Sequence, residues 1–201
     1  MLYRSGQAFD FVYFPLSGFI SLAVTVEGHQ SMEMGLIGHE GMLGVSLVLG
    51  VDVVPLYAVV RGAGTALRMS TKEFKYVLRN CPIFQSMLDR YVCVLMAELS
   101  QTIACTGFHD VKSRLARWLL MINDRANNDR FYLTHQILAE MLGVQRSAIS
   151  IAAGLLQHEG SISYSRGNIS VLSRKKLQAA SCECYMAILH EYERLLTPTP
   201  A

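Results

Sequence analysis

The segment Leu133–Gly160, LTHQILAEMLGVQRSAISIAAGLLQHEG, constrains the chain more than any other. Its apolar residues and its glycine fall where two short helices joined by a tight turn need them. Leu138, Leu142, Val144, Ile149 and Ala152 form the apolar set, and the small Ala139 sits where the helices must approach closely. Gly143 follows four residues later, where the first helix has to stop, and glycine takes the left-handed geometry of a helix C-terminal turn without steric cost. Val144 is expected in the core between the helices, with a second helix from Gln145 to Gln157. Gln145, Arg146, Ser147 and Ser150 would form its exposed N-terminal face, and such side chains hydrogen-bond to base edges in a major groove. The plainer alternative, a helical hairpin with a glycine turn, accounts for Gly143 and the apolar set but not for the polar face.

The flanks carry the same reading. Ser161–Tyr164 and Ile169–Leu172 are short alternating β-type runs around Ser165-Arg166-Gly167-Asn168, which has hairpin-turn composition. The expected product is a winged helix-turn-helix with Arg166 at the wing tip, where a phosphate would lie. Upstream, Thr134 is placed to cap the first helix, and it and Gln136 are candidate contacts at a helix N-terminus, a good phosphate site. Charge follows the same division. Residues 1–109 carry 7 Lys/Arg and 8 Asp/Glu, a net of −1, whereas residues 110–201 carry 11 and 8, a net of +3. The basic half includes Arg146, Arg166 and the run Arg174-Lys175-Lys176, as nucleic acid requires, although a solvated charged surface gives the same count.

A chain of 201 residues can hold one large or two modest domains. Hydrophobic residues make up 51%, but no unbroken apolar run of the ~18 residues of a membrane span occurs, and no basic-then-apolar leader opens the chain. No membrane partner and a cytoplasmic location are therefore expected. The five cysteines, Cys81, Cys93, Cys105, Cys182 and Cys184, are expected as reduced, mostly buried thiols. Cys182-Glu183-Cys184 is shorter than the usual two-residue spacer of zinc or redox motifs, and no partner cluster is near it in sequence, so no metal site is expected.

The first 80 residues read as β structure. Phe11–Phe14, Gly18–Val26, Ser31–Ile37 and Leu56–Met69 are rich in Val, Ile, Leu and aromatics, and glycines punctuate them, as in an antiparallel barrel or jelly roll. Ser70 and Glu73 then have capping-box spacing at a helix start. A long helix is expected from about Ile83 to Cys105. Leu88, Val92, Leu95, Leu99 and Thr102 recur along it at heptad spacing, while Tyr91, Val94, Met96 and Ile103 widen the apolar face. A helix apolar over most of its circumference should be covered on two sides, here by the barrel and by the same helix of a second subunit. A single-chain core helix is the alternative. A shorter helix, about Asp110–Ala126, leads into the C-terminal module.

A β-roll, a long helix and a C-terminal winged helix-turn-helix, in this order, resemble the Crp/Fnr family of bacterial transcription regulators. LYRSGQAFDFVYFPLSGFISL resembles the first roll repeat of that family, and FHDVKSRLARWLL the segment joining the dimer helix to the DNA-binding domain. The resemblance implies an α+β fold: a jelly-roll-like cyclic-nucleotide-binding-like β-roll over 1–80, a dimerisation helix over 81–107 and a winged helix-turn-helix over 108–201. Relative to that family the chain begins late, without the initial helix and first strand, so the roll is expected truncated or closed differently. The implied function is sequence-specific binding of double-stranded DNA by a homodimer on an inverted-repeat operator, with RNA polymerase as a further partner. Arg146 matches the family's base-reading arginine, Ser147 stands where many relatives have a cytosine-reading Glu, and Ile151 where some have a second Arg.

The effector pocket implied by the resemblance lies at Gly41, Met42, Leu43, Gly44, Val54 and Pro55. Met42 replaces the family's ribose-binding Glu, and Val54-Pro55 the phosphate-binding Arg and its hydroxyl neighbour. Without that Arg a buried phosphate would stay unpaired, so cyclic AMP is not the expected effector; the pocket is expected to be apolar, with Leu43, Leu47 and Leu56 in its lining. An iron–sulfur cluster would need N-terminal cysteines, and the first here is Cys81; haem would need an axial ligand, for which only His29 and His39 offer themselves in the roll. No resident cofactor and no enzymatic activity are expected. Two rivals differ in class. A jelly-roll metalloenzyme would need converging histidines that the roll lacks. A ligand-sensing protein whose helix-turn-helix contacts protein would show no salt-dependent duplex binding.

Overall fold

The computed structural model describes residues 1–28, 31–126 and 128–197. Five strands build the N-terminal roll: β1 (Phe11–Pro15), β2 (Phe19–Val24), β3 (Met32–Ile37), β4 (Tyr57–Gly62) and β5 (Ala66–Ser70). β1 pairs antiparallel with β5, and β2 lies between β3 and β4 in a second antiparallel sheet. The apolar run 56–69 is broken into two strands at residues 63–65. There Gly64 passes the Ser17 backbone and Gly18 the Gly62 carbonyl so closely that a β-carbon on either would collide. Single bridges, Tyr3 to Ala58 and Tyr13 to Leu43, stitch the sheets into a roll. Its interior is filled by Tyr3, Phe9, Val12, Ile20, Ile37, Met42, Leu43, Leu47, Val54 and Ala58.

The capping box forms as expected. Ser70 Oγ accepts from the Glu73 N–H while the Glu73 carboxylate accepts from the Ser70 N–H, opening helix α1 (Thr71–Asn80). α2 (Pro82–Phe108) follows, starting with proline at its first position, where the missing N–H costs nothing. At 27 residues α2 is long and apolar enough by composition to cross a membrane. Its buried Glu98 is instead ion-paired within the fold, and Leu88, Tyr91 and Leu95 join the roll core. The apolar composition serves a helix packed on one side by the roll and along its second half by α7 (Cys184–Leu196).

The expected seam along α2 needs correction. Leu88, Leu95 and Thr102 point into their own chain and are buried, and Thr102 Oγ1 accepts a hydrogen bond from Arg117. Val92 and Leu99 are half-buried, and the exposed apolar residues next to them are Met96 and Ile103. Heptad spacing alone selects a line along the helix. On a helix apolar all round it does not say which line the roll has already covered.

The C-terminal module comprises α3 (Val111–Ala126), β6 (Arg130–Tyr132), α4 (His135–Leu142), α5 (Arg146–His158), β7 (Ile162–Ser165), β8 (Asn168–Val171) and α6 (Arg174–Ala180). Leu115, Leu119, Leu138, Ile149, Leu156, Ile162, Ile169 and Leu177 close its core, which continues into the roll through Phe19 and Leu36. The wing has a third strand that sequence reading did not anticipate: β6 pairs with β8.

Candidate nucleic-acid interface

α4 ends where glycine allows it. Gly143 has φ +64°, and its N–H returns to the helix carbonyls. A β-carbon here would lie 2.7 Å from Met32 Sδ of the roll, so a larger residue would have to push that side chain aside as well as hold the backbone angle. Thr134 caps the other end, its hydroxyl accepting from the Ile137 N–H at 3.2 Å. α5 starts at Arg146 with Gln145 as its cap residue, one position later than expected, and the Gln145 side chain makes no capping bond. Ile149, Ala152, Ala153 and Leu156 bury one face of α5, leaving Arg146, Ser147, Ser150, Ile151 and Leu155 exposed on the other. The amphipathic turn thus fixes which side chains can enter a groove.

The wing turn is a two-residue reversal with positive φ at both Arg166 (50°) and Gly167 (89°), the geometry that matches the twist of paired strands. Arg166 is exposed at the tip, on the same module as the α5 face. Gln136 is exposed and donates to Glu140. The basic run 174–176 is partly committed to the fold. Arg174 pairs with Asp124 at 2.5 Å and Asn123 at 2.7 Å, and Lys176 donates to the Glu159 carbonyl.

His135 is a contributor that sequence reading passed over. Its ring stacks on Tyr164 of the wing with centroids 4.2 Å apart, and its Nδ1 lies 2.9 Å from Ser150 Oγ on α5. It therefore ties α4, α5 and wing together. Burial, with Arg146 nearby, holds its pKa below the usual histidine value, so the ring is neutral at pH 7. A histidine at a helix start gives no sequence sign of this, because both its partners lie far along the chain.

Behind the module runs a buried ionic network. Arg125 of α3, 6% exposed in its side chain, donates to Glu40 of the roll at 2.8 Å, to Glu98 of α2 at 3.1 Å and to the Tyr192 hydroxyl of α7 at 3.0 Å. Closer to the turn, Arg61 of β4 bridges Glu33 of β3 (3.1 Å) and Glu140 of α4 (3.4 Å). Burial pushes Glu33 up to about 7 against the pull of Ser21 and Arg61.

The residues expected around an effector pocket are spread over different surroundings. Leu43 and Val54 are packed in the roll core, Gly44 abuts Val12, and Pro55 is exposed. Gly41 and Met42 border a groove of about 570 Å³ between the roll and α2, bounded by Phe14, His39, Phe84, Met87 and Tyr91. His29 lies outside the described residues. The expectation that the cysteines have no partner cluster is overturned: Cys105, His109, Cys182 and Cys184 converge where α2 ends.

Residues 113–180 match the Crp-like helix-turn-helix domain family. No curated protein sequence matches the chain. Among solved structures the chain resembles FixK2 from Bradyrhizobium japonicum, at 14% identity and a TM-score of 0.76, covering 90% of this chain and 92% of that one. It is also similar to a CRP/FNR-family transcriptional regulator from Thermus thermophilus, at 20% identity and a TM-score of 0.63, covering 89% and 96%. A third likeness is to CLP of Xanthomonas campestris, described as a c-di-GMP-responsive global regulator, at 15% identity and a TM-score of 0.68, covering 86% and 89%.

Proposed function

We propose that this chain, a Crp-like helix-turn-helix protein with the fold of the Crp/Fnr regulators, binds double-stranded DNA sequence-specifically as a homodimer and regulates transcription in the cytoplasm. The exposed face of α5 carries the reading. A guanidinium and two hydroxyls stand on its first turns, on a helix whose other face is locked into the module core. Arg146 has the reach and fork geometry for the O6 and N7 edge of guanine, and Ser147 and Ser150 complete the polar face. Gln145, Thr134 and Gln136 serve as flanking contacts, and Arg166 meets backbone phosphate from the wing.

Dimerisation places two such faces on successive major grooves, with half-site centres about one helical turn, ~10 bp, apart. We assign the subunit seam to Val92, Met96, Leu99 and Ile103, spaced four, three and four residues apart as in a coiled coil. An exposed Met96 (63%) and Ile103 (65%) on one line of a 27-residue helix is the observation behind this assignment. The effector is not cyclic AMP: Met42 and Val54 offer a phosphate no partner, and both are buried among apolar side chains. Binding-site selection from random duplexes tests the reading. An inverted repeat with a guanine in each half-site, bound more weakly as salt rises, is expected. No enrichment over input, or binding insensitive to salt, would instead favour a helix-turn-helix that contacts protein.

A further inference from the structure

At the end of α2 four potential metal ligands meet. Cys105 and His109 stand four residues apart, so they share one side of the helix end, and Cys182 and Cys184 reach them from the bend between α6 and α7. All four ligand atoms lie within 4.8 Å of one another. Cys105 Sγ is 3.5 Å from Cys182 Sγ, and Cys184 Sγ is 3.5 Å from His109 Nδ1. Metal–sulfur bonds of ~2.3 Å at the tetrahedral angle place two sulfurs about 3.8 Å apart, so this is the spacing of ligands around a single ion. An iron–sulfur cluster, with several atoms between its cysteines, would hold them farther apart. The short Cys-x-Cys spacer does not prevent this, because the helix supplies the other two ligands.

Two surrounding features point the same way. The outer nitrogen of His109, Nε2, lies 3.1 Å from the Glu183 carboxylate, the arrangement that fixes a metal-bound imidazole with its other nitrogen facing the ion. Gln101 Nε2 lies 3.0 Å from Cys184 Sγ, in position to donate to a thiolate. Arg117, 1% exposed, lies beside Cys105; it bonds Thr102 at 2.9 Å, but its Nε has no partner, and among the described residues no carboxylate pairs with it. A buried guanidinium without a counter-charge is costly. Three thiolates, one neutral imidazole and a divalent cation sum to −1, the counter-charge that Arg117 lacks.

We propose that Cys105, His109, Cys182 and Cys184 bind one zinc ion in a closed, four-ligand site. Three soft sulfurs and one imidazole in tetrahedral arrangement suit zinc, and with no open position the site is structural. As the sulfur–zinc bonds form, the three thiols release their protons to water and no electron is transferred. The ion pins the bend before α7 to the last turn of α2, two residues before α3 begins at Val111. Zinc therefore fixes the direction in which the helix-turn-helix leaves the dimer helix, a consequence that rests on the DNA-binding reading.

The test is elemental analysis of the full-length chain purified without chelator and reconstituted with zinc under reducing conditions. One zinc per chain is expected, lost in Cys182→Ser and Cys184→Ser and kept in Cys93→Ser. Cobalt substitution should give intense thiolate-to-cobalt charge-transfer bands and the visible absorption of a tetrahedral site. Glu183→Gln, which leaves the ligand set intact, should weaken zinc affinity about tenfold. Should the cysteine variants fail to fold, titrating wild-type thiols with a mercurial while a dye reports released zinc gives the same answer, with three protected thiols per ion. A folded, reduced wild-type chain that takes up no zinc overturns the proposal. So does a Cys105–Cys182 disulfide that forms in its place, or zinc retained by the Cys182/Cys184 double variant. If duplex binding is absent with and without zinc, the DNA reading fails, while the stoichiometry still decides the metal site.

Discussion

Met96→Asp and Leu95→Asp are neighbouring substitutions on α2 with opposite expected outcomes. Met96 is 63% exposed in the single chain, so the aspartate remains hydrated there, and the isolated fold should change by no more than about 0.5–1 kcal/mol, mostly helix propensity. Across a two-fold seam the residue occurs twice. Losing two buried methionine side chains at about 1.5–3 kcal/mol each removes roughly 3–6 kcal/mol, before the cost of facing two carboxylates. At 1.4 kcal/mol per tenfold, that is a rise of at least about two orders of magnitude in dimer Kd. Leu95 is 9% exposed and packs in the roll core, so Leu95→Asp puts a carboxylate among apolar side chains and should cost the fold itself about 3 kcal/mol or more. Analytical ultracentrifugation across a concentration series, paired with thermal melts, separates the two effects. A Met96→Asp variant with unchanged dimer Kd refutes the seam. A Leu95→Asp variant that stays well folded but monomeric would restore the line first read from heptad spacing.

Three further outcomes are expected. Arg146→Ala should cost about 1–3 kcal/mol on the selected operator and relax preference at one position, whereas Arg166→Ala should weaken all duplexes alike and lower the salt slope by about 1; competition binding at several salt concentrations distinguishes them. Glu33, held near 7 by burial against an ordinary 4.5, keeps its proton in the folded chain after the unfolded chain has released its own, so stability should fall as pH rises from about 4.5 to 7, by up to about 3 kcal/mol. Glu33→Gln should flatten that part of a pH series of denaturant melts, and an unchanged slope would refute the assignment. Gly143→Ala must hold φ +64° and displace Met32, so a loss of about 1–2 kcal/mol is expected in thermal melts, and a gain in stability would contradict the geometry.

Local signals were legible and tertiary ones were not. Gly143, Thr134 and the Ser70–Glu73 pair announce helix ends because the capping chemistry lies within four residues, and the structure places each as read. The α5 face was legible because the apolar positions 149 and 152 fix a helix's orientation without reference to the rest of the chain. β6 was missed because three residues carry too little alternation to register, and the strand exists only because β8 pairs with it. Leu43 and Val54 could be read as apolar but not as core, because only the packing of distant strands places both in the roll's hydrophobic cluster. Cys105 and Cys182 are 77 residues apart, and only the return of α7 along α2 brings them together.

Two devices act on the junction of α2 and α3 from different sides. The cysteine–histidine cluster sits at residues 105–109, and Glu98, two turns earlier, receives Arg125 from the far end of α3. With Glu40 on the same guanidinium, a displacement of the 38–41 loop cannot leave α3 untouched, since separating a buried pair costs about 3–5 kcal/mol. That cost exceeds the roughly 1–3 kcal/mol by which ligands usually couple two sites, so a regulator acting through the roll must preserve the Arg125 contacts and tilt α3 as a unit with Glu40 and Glu98. The cluster holds the other end of α3. With the end of α2 pinned to the bend before α7, α2 and α3 are tied both just before Val111 and at Arg125, so they move as one body. Arg125 and Cys182 should therefore be energetically coupled despite sharing no contact, and a double-mutant cycle on operator affinity should show an interaction energy well outside the ~0.5 kcal/mol expected of independent sites.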